Sequence, residues 1–102
     1  KADIFLVVPA TANIIGKVAN GIADDMLSTT IMATKSTVVF VPAMNTGMYE
    51  NPIVQNNLEK LKKYGYKIIE PTVGHLACGD EAKGKLPANN EIIDYIKTLI
   101  KE

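Results

Sequence analysis

The chain has 102 residues, enough for one small domain and too few for two. Apolar residues make up 47% and charged residues 22%, which excludes disorder by composition. Eleven Lys, with no Arg, balance eleven Asp plus Glu, so the chain lacks the basic excess of a nucleic-acid or membrane-surface binder.

Lys1 is followed almost at once by a strand pattern, as in a piece cut from a larger domain. Ile4-Phe5-Leu6-Val7-Val8 is a continuous apolar, β-rich run that Pro9 should end. Ile14, Ile15, Val18 and Ala19 then share one helix face, and Asn20-Gly21 is a natural stop. Asp24 and Asp25 favour a second helix start, with Met26, Leu27, Thr30 and Ile31 inward. Thr37-Val38-Val39-Phe40-Val41 is a second strand, ended by Pro42. Asn51-Pro52 opens the clearest helix, with Val54, Leu58 and Leu61 on one stripe and Gly65 as its stop. Glu59 and Lys63 are spaced for an ion pair on its outer face. Tyr66-Lys67-Ile68-Ile69-Glu70 is a weaker third strand, ended by Pro71. Residues 72–87 show no periodicity and carry Gly74, Gly79 and Gly84. A last helix runs from about Asn90, with Ile92, Ile93, Ile96, Leu99 and Ile100 inward.

Strands apolar at every position suit a sheet covered on both faces, and the long connections between them suit helical crossovers. The fold class is α/β: a Rossmann-like parallel sheet with helices on both faces. Three strands are few for such a sheet. Fewer than the roughly 20 consecutive apolar residues that cross a bilayer occur anywhere in the chain, and no signal peptide is evident.

In an open parallel sheet, ligands bind beyond the carboxyl ends of the strands. Two strands end alike, in Pro9-Ala10-Thr11-Ala12-Asn13 and Pro42-Ala43-Met44-Asn45. Alanine lets a flat ligand approach the backbone, and Asn offers both donor and acceptor. Each loop alone is ordinary turn and cap chemistry; the repetition favours a shared site. Thr11 is placed to cap a helix whose free N–H groups suit a carbonyl or anionic group. Met44 and Met48 either fill gaps or wall an apolar slot, and Tyr49 reads as a packing residue. Cys78, the single cysteine, cannot form an internal disulfide, which fits a cytoplasmic protein. It sits in a Gly-rich segment with Lys83 and Lys85 nearby in sequence, a pattern open to an inert thiol or a reactive one. His75 is the single histidine, and His75 with Cys78 leaves a zinc site two ligands short. No GxGxxG, Walker loop or Gly-x-Ser-x-Gly elbow is present, and the Lys60, Lys62, Lys63 cluster reads as a solvated face.

The segment from Pro9-Ala10-Thr11-Ala12-Asn13 through Asn20-Gly21-Ile22-Ala23-Asp24-Asp25 resembles the PASANT region of the homo-oligomeric flavin-containing cysteine decarboxylases. Pro42-Ala43-Met44-Asn45-Thr46-Gly47-Met48-Tyr49 resembles their PxMNxxMW motif, with Tyr in place of Trp. Leu76-Ala77-Cys78-Gly79-Asp80 resembles the substrate clamp of the phosphopantothenoylcysteine decarboxylases. The peptidyl-cysteine decarboxylases and flavin prenyltransferases of the same fold are not expected to carry that cysteine loop. A non-catalytic structural or regulatory remnant is the third alternative.

The resemblance implies a flavodoxin-like fold, of which residues 1–102 are the C-terminal part of an FMN-binding decarboxylase domain. It implies decarboxylation of 4′-phosphopantothenoylcysteine to 4′-phosphopantetheine in coenzyme A biosynthesis, with no nucleic-acid or membrane partner. It implies FMN contacts from Thr11, Ala12, Asn13, Ile14 and Ala43. Asn45 would hold the substrate carboxylate, and Met48, His75, Ala77 and Leu86 would help form the substrate pocket. Cys78 would donate the proton for reduction of the enethiol intermediate. The family's base histidine and its FMN-phosphate loop are expected upstream of Lys1, so this segment alone is expected to be inactive. A homo-oligomer, a trimer or a dodecamer of trimers, is the expected assembly.

Overall fold

The computed structural model describes residues 3–70 and 89–101, with side chains of the last helix described at 92–98. The three apolar runs become parallel strands β1 (Ile4–Ala10), β2 (Thr37–Pro42) and β3 (Lys67–Ile68), in the spatial order β1-β2-β3. Ile4 pairs with Thr37 and Val7 with Phe40, while Phe40 on its other side pairs with Ile68. Parallel neighbours require crossovers. Helices α1 (Ala12–Ala19) and α2 (Met26–Ala33) supply the first; α3 (Thr46–Glu50) and α4 (Pro52–Lys63) supply the second. Helix α5 (Asn89–Lys101) follows β3 after the segment outside the described residues.

Successive residues of a strand point to opposite faces. Along β2, Val38 and Phe40 meet Ile15, Ile31, Leu58 and Leu61 from α1, α2 and α4. Val39 and Val41 meet Ile69 and Ile92, with Tyr95 and Ile96 of α5 alongside. Both faces of β2 are thus covered, which is why it is apolar throughout. Strand β1 is covered less: Leu6 and Val8 are 38% and 42% exposed, so the described helices leave part of one face open.

The helix ends follow local chemistry. Asn51 caps α4 by accepting from Ile53 N–H, and Pro52 opens its first turn. Gly65 follows the C-cap Tyr64 at φ +98°, a left-handed value suited to glycine. Asp25 caps α2 in a reciprocal box with Ser28.

Several expectations need correction. Pro9 does not end its strand but lies inside β1, one residue before its end, whereas Pro42 is the last residue of β2, as expected. At the β1 tip the bond that continues the ladder uses the Ala10 carbonyl as acceptor from Ala43 N–H, at 3.1 Å, so a missing N–H at Pro9 costs nothing there. Helix α2 turns inward Ser28 and Ile31, while Met26, Leu27 and Thr30 are exposed. The capping box satisfies the Ser28 hydroxyl through Asp25 and so lets that residue be buried. Ile93 is exposed in α5. Glu59 pairs with Lys62, at 3.4 Å, in place of the expected Lys63.

Candidate functional site at the carboxyl ends of β1 and β2

Because β1 and β2 are parallel neighbours, their Pro-Ala ends lie side by side at one end of the sheet. Ala10 pairs with Pro42, and Ala43 N–H donates to the Ala10 carbonyl. Ala10 is fully buried and Ala43 half-buried. The seam between the tips is therefore made by small side chains and a proline ring, with Ala10 and Pro42 buried and only Ala43 partly open.

Each tip passes directly into a capped helix. Thr11 Oγ1 accepts from Ile14 N–H at 3.2 Å, and the Thr11 carbonyl accepts from Ile15 N–H at 3.0 Å. The N–H groups of Ala12 and Asn13, at the first two helical positions, have no acceptor within the helix. They add to the positive end of the α1 dipole. The Asn13 side chain is exposed. The Ile14 side chain is buried in the core at 6% exposure, and its N–H is taken up by the Thr11 cap. At the second tip, Asn45 Oδ1 accepts from Met48 N–H at 2.8 Å. Only the amide oxygen can accept that bond, so the exposed Asn45 turns its Nδ2 donor outward. Met44 packs against the core, whereas Met48 is 45% exposed beside Asn45.

The short helix α3 went unread in the sequence. Five residues carry no usable period; the signal was Asn45 itself, an N-cap residue followed by Tyr49 one turn on.

Two ionic groups fasten the helices behind the tips. Behind the first, Lys17 of α1 reaches Asp24 and Asp25 at 2.9 Å each. Hydrogen bonds from the Ser28 hydroxyl, from Lys17 and from Ser28 N–H hold the Asp25 carboxyl well below the usual carboxylate range. The bonds to Asp25 and Asp24 raise Lys17 in turn. Behind the second, Tyr49 Oη donates to Glu70 Oε1 at 2.5 Å, and Lys62 Nζ donates to Glu70 Oε2 at 2.7 Å. Burial works to raise the Glu70 carboxyl, but Lys62 and Tyr49 outweigh it and lower it. Burial first, and Glu70 second, push the Tyr49 phenol up to about 12. Lys62 thus belongs to this network and not to a purely solvated face.

Two cavities lined by described residues lie elsewhere. One, about 280 Å³, opens among Lys35, Thr37 and Tyr66 towards the amino ends of the strands. The other, about 390 Å³, lies against Val18, Met32, Leu61 and Tyr64 of α1, α2 and α4. Neither touches a tip residue. Among the described residues, no cluster of three or more His, Cys, Asp or Glu could hold a metal, and no helix is long and apolar enough to cross a membrane. His75, Ala77, Cys78 and Leu86 lie outside the described residues.

The model of the family described as Flavoprotein matches residues 1–101. The chain belongs to the flavoprotein family. It is 52% identical, over 92 residues, to the coenzyme A biosynthesis bifunctional protein CoaBC of Bacillus subtilis strain 168. That alignment covers 90% of this chain and 23% of the relative. A solved PPC decarboxylase mutant complexed with pantothenoylaminoethenethiol superposes with a TM-score of 0.87 at 31% identity, over 99% of this chain and 57% of that one. The FMN binding protein AtHal3 superposes with a TM-score of 0.85 at 33% identity, over 96% of this chain and 54% of that one. The chain thus spans about a quarter of the bifunctional relative and somewhat over half of the two solved flavoproteins. The parallel sheet with helices on both faces is the fold that these flavoproteins share.

Proposed function

We propose that this chain is the part of an FMN-dependent 4′-phosphopantothenoylcysteine decarboxylase that carries the flavin-facing strand tips and the carboxylate-holding asparagine. The observation that carries the reading is the Ala43-to-Ala10 hydrogen bond, which seats two small-residue strand tips side by side between the capped helix starts at Thr11 and Asn45.

The residues fit a flavin. The small, partly open Ala43 beside the buried Ala10 lets a flat ring approach the backbone, and next to it the Ala12 and Asn13 N–H groups and the Asn13 amide are donors for carbonyl or anionic oxygens. FMN, when bound, supplies two-electron redox chemistry that no side chain of this segment supplies. Thr11, Ala12, Asn13, Ile14 and Ala43 would hold it.

Asn45 donates from Nδ2 to the substrate carboxylate, and its N-cap bond to Met48 N–H fixes the direction of that donor. A carboxylate so held keeps the bond to the departing CO₂ in one orientation. Met48 offers an apolar wall beside it. Cys78, with His75, Ala77 and Leu86 in the same stretch of sequence, is assigned to the substrate side. Its Sγ–H donates the proton that accompanies reduction of the enethiol. The working form is a cytoplasmic homo-oligomer, and residues 1–102 contribute one part of its FMN-binding domain.

The test is CO₂ release by the intact gene product, purified with FMN, from 4′-phosphopantothenoylcysteine, from free cysteine and from a peptide ending in cysteine. Release from the first alone supports the reading. Release from the peptide alone would make the protein a peptidyl-cysteine decarboxylase, and a colourless protein that binds no FMN would overturn both.

A further inference from the structure

Helix α3 has five residues and none of them is buried, so it cannot persist on its own helical bonds. Yet it carries Asn45 at its cap. One set of its anchors converges on Tyr49. The Tyr49 ring packs against the core on the α1/α4 side of the sheet. Its hydroxyl donates to Glu70 just beyond β3, and Glu70 is gripped on its other oxygen by Lys62 of α4. The Tyr49 carbonyl accepts from Gln55 Nε2, also of α4. The Tyr49 N–H, in turn, donates to the Asn45 carbonyl at 2.9 Å, the first bond of the turn. One residue therefore links the core, the end of β3 and α4 to the turn in which the Asn45 side chain is fixed.

We propose that Tyr49 is a positioning residue: by anchoring α3 to Glu70 it sets the direction in which Asn45 presents its Nδ2 donor. The consequence for turnover rests on the decarboxylase reading; the anchoring itself does not. A ring alone would allow the turn to rock about its packing contact. A short hydrogen bond to a carboxylate that is itself held by a lysine removes that freedom, because charge-assisted bonds are the stronger and more directional ones.

The test uses the intact protein with FMN, four single variants and one double. Tyr49→Phe keeps the ring and deletes the donor. Hydrogen exchange at the Met48 amide, whose acceptor is Asn45 Oδ1, reads the cap directly and needs no substrate. Its protection should fall by about 10-fold or more in Tyr49→Phe. Glu70→Leu should reproduce that loss, and Glu70→Gln, which keeps an acceptor for the hydroxyl, should restore most of it. In turnover of 4′-phosphopantothenoylcysteine, Tyr49→Phe should lower kcat/KM about 10-fold, and should cost nothing further in an Asn45→Ala background, since it acts through Asn45. Unchanged Met48 protection in Tyr49→Phe, or losses that add in the double variant, would overturn the proposal. If the wild type turns over no such substrate, the decarboxylase reading fails and the exchange measurement still decides whether Tyr49 anchors the cap.

Discussion

At the end of β1, Pro9-Ala10-Thr11 passes into an eight-residue helix; at the end of β2, Pro42-Ala43-Met44-Asn45 passes into a five-residue one. The two tips open with the same dipeptide and then divide the work differently. In the first, Thr11 does the capping and Asn13 is left exposed on the helix. In the second, Asn45 does both, with its oxygen on Met48 N–H and its nitrogen outward. Helix α1 buries Ile14, Ile15, Val18 and Ala19, so its place is set by packing. Helix α3 buries nothing fully, and the Tyr49 network ties it to Glu70 and α4. The first tip is a rigid platform of backbone donors, and the second presents a single aimed side chain.

The sharpest way to break that comparison is Asn45→Asp. A carboxylate still accepts Met48 N–H, so the cap and the fold should survive, with stability changed by less than about 0.5 kcal/mol. What disappears is the outward donor, replaced by a negative charge facing the substrate carboxylate. We expect kcat/KM for 4′-phosphopantothenoylcysteine to fall by about 100-fold or more, with the flavin still bound. Steady-state kinetics beside a urea titration read both halves. Unchanged kinetics would remove Asn45 from substrate binding.

At the first tip the corresponding change acts on stability. Thr11→Ala removes the acceptor for Ile14 N–H and should cost about 1 kcal/mol in urea unfolding, and Thr11→Ser should recover most of it. An equal loss in both variants would show that the Thr11 methyl group, and not the cap, matters.

Acid should loosen both fastenings. Asp25 and Glu70 titrate below their ordinary values of 3.8 and 4.5 in the folded chain, so each favours the folded state above its unfolded pKa. That contribution is lost as pH falls through the folded pKa, and stability should decline from about pH 4 downward. Asp25→Asn should make this decline shallower without altering the response of the second tip. On the alkaline side, Tyr49 titrates at about 12 against an ordinary 10.0, so stability should also fall as pH rises between those values. A Tyr49→Phe variant that keeps the full alkaline decline would assign it to the lysines.

Much of this frame was legible because it is local chemistry. Asn51-Pro52 and Gly65 bracket α4 as read, and an unbroken apolar run marks β2 as a strand covered on both faces. The seam between the tips followed from parallel neighbours ending in Pro-Ala. Other features depend on partners far apart in sequence. Nothing near Tyr49 announces Glu70, 21 residues on, so a networked phenol read as simple packing. Lys62 read as a solvated charge for the same reason. Met26 and Leu27 were expected inward by hydrophobicity alone, but the Asp25–Ser28 box satisfies a buried hydroxyl and turns a different face of α2 to the core.

The smallest expected effect is also the cleanest separation of the two tips. Gly16 lies inside α1, where glycine is less stable than alanine by roughly 0.5–1 kcal/mol because of backbone freedom in the unfolded chain. Its φ is not in the left-handed region, and a Cβ there would come no closer than 3.6 Å to Asn57 Nδ2, an ordinary contact. Gly16→Ala should therefore raise stability by about 0.5 kcal/mol, read as an upward shift of Tm. The gain should stay on the first side: α1 stiffens, while the Tyr49 anchor of α3 runs to Glu70 and α4. Met48 amide exchange should accordingly be unchanged in Gly16→Ala below the unfolding transition. A change in Met48 protection would mean that the tips move as one body through the Ala10–Ala43 bond, and that the platform and the aimed side chain are a single mechanical unit.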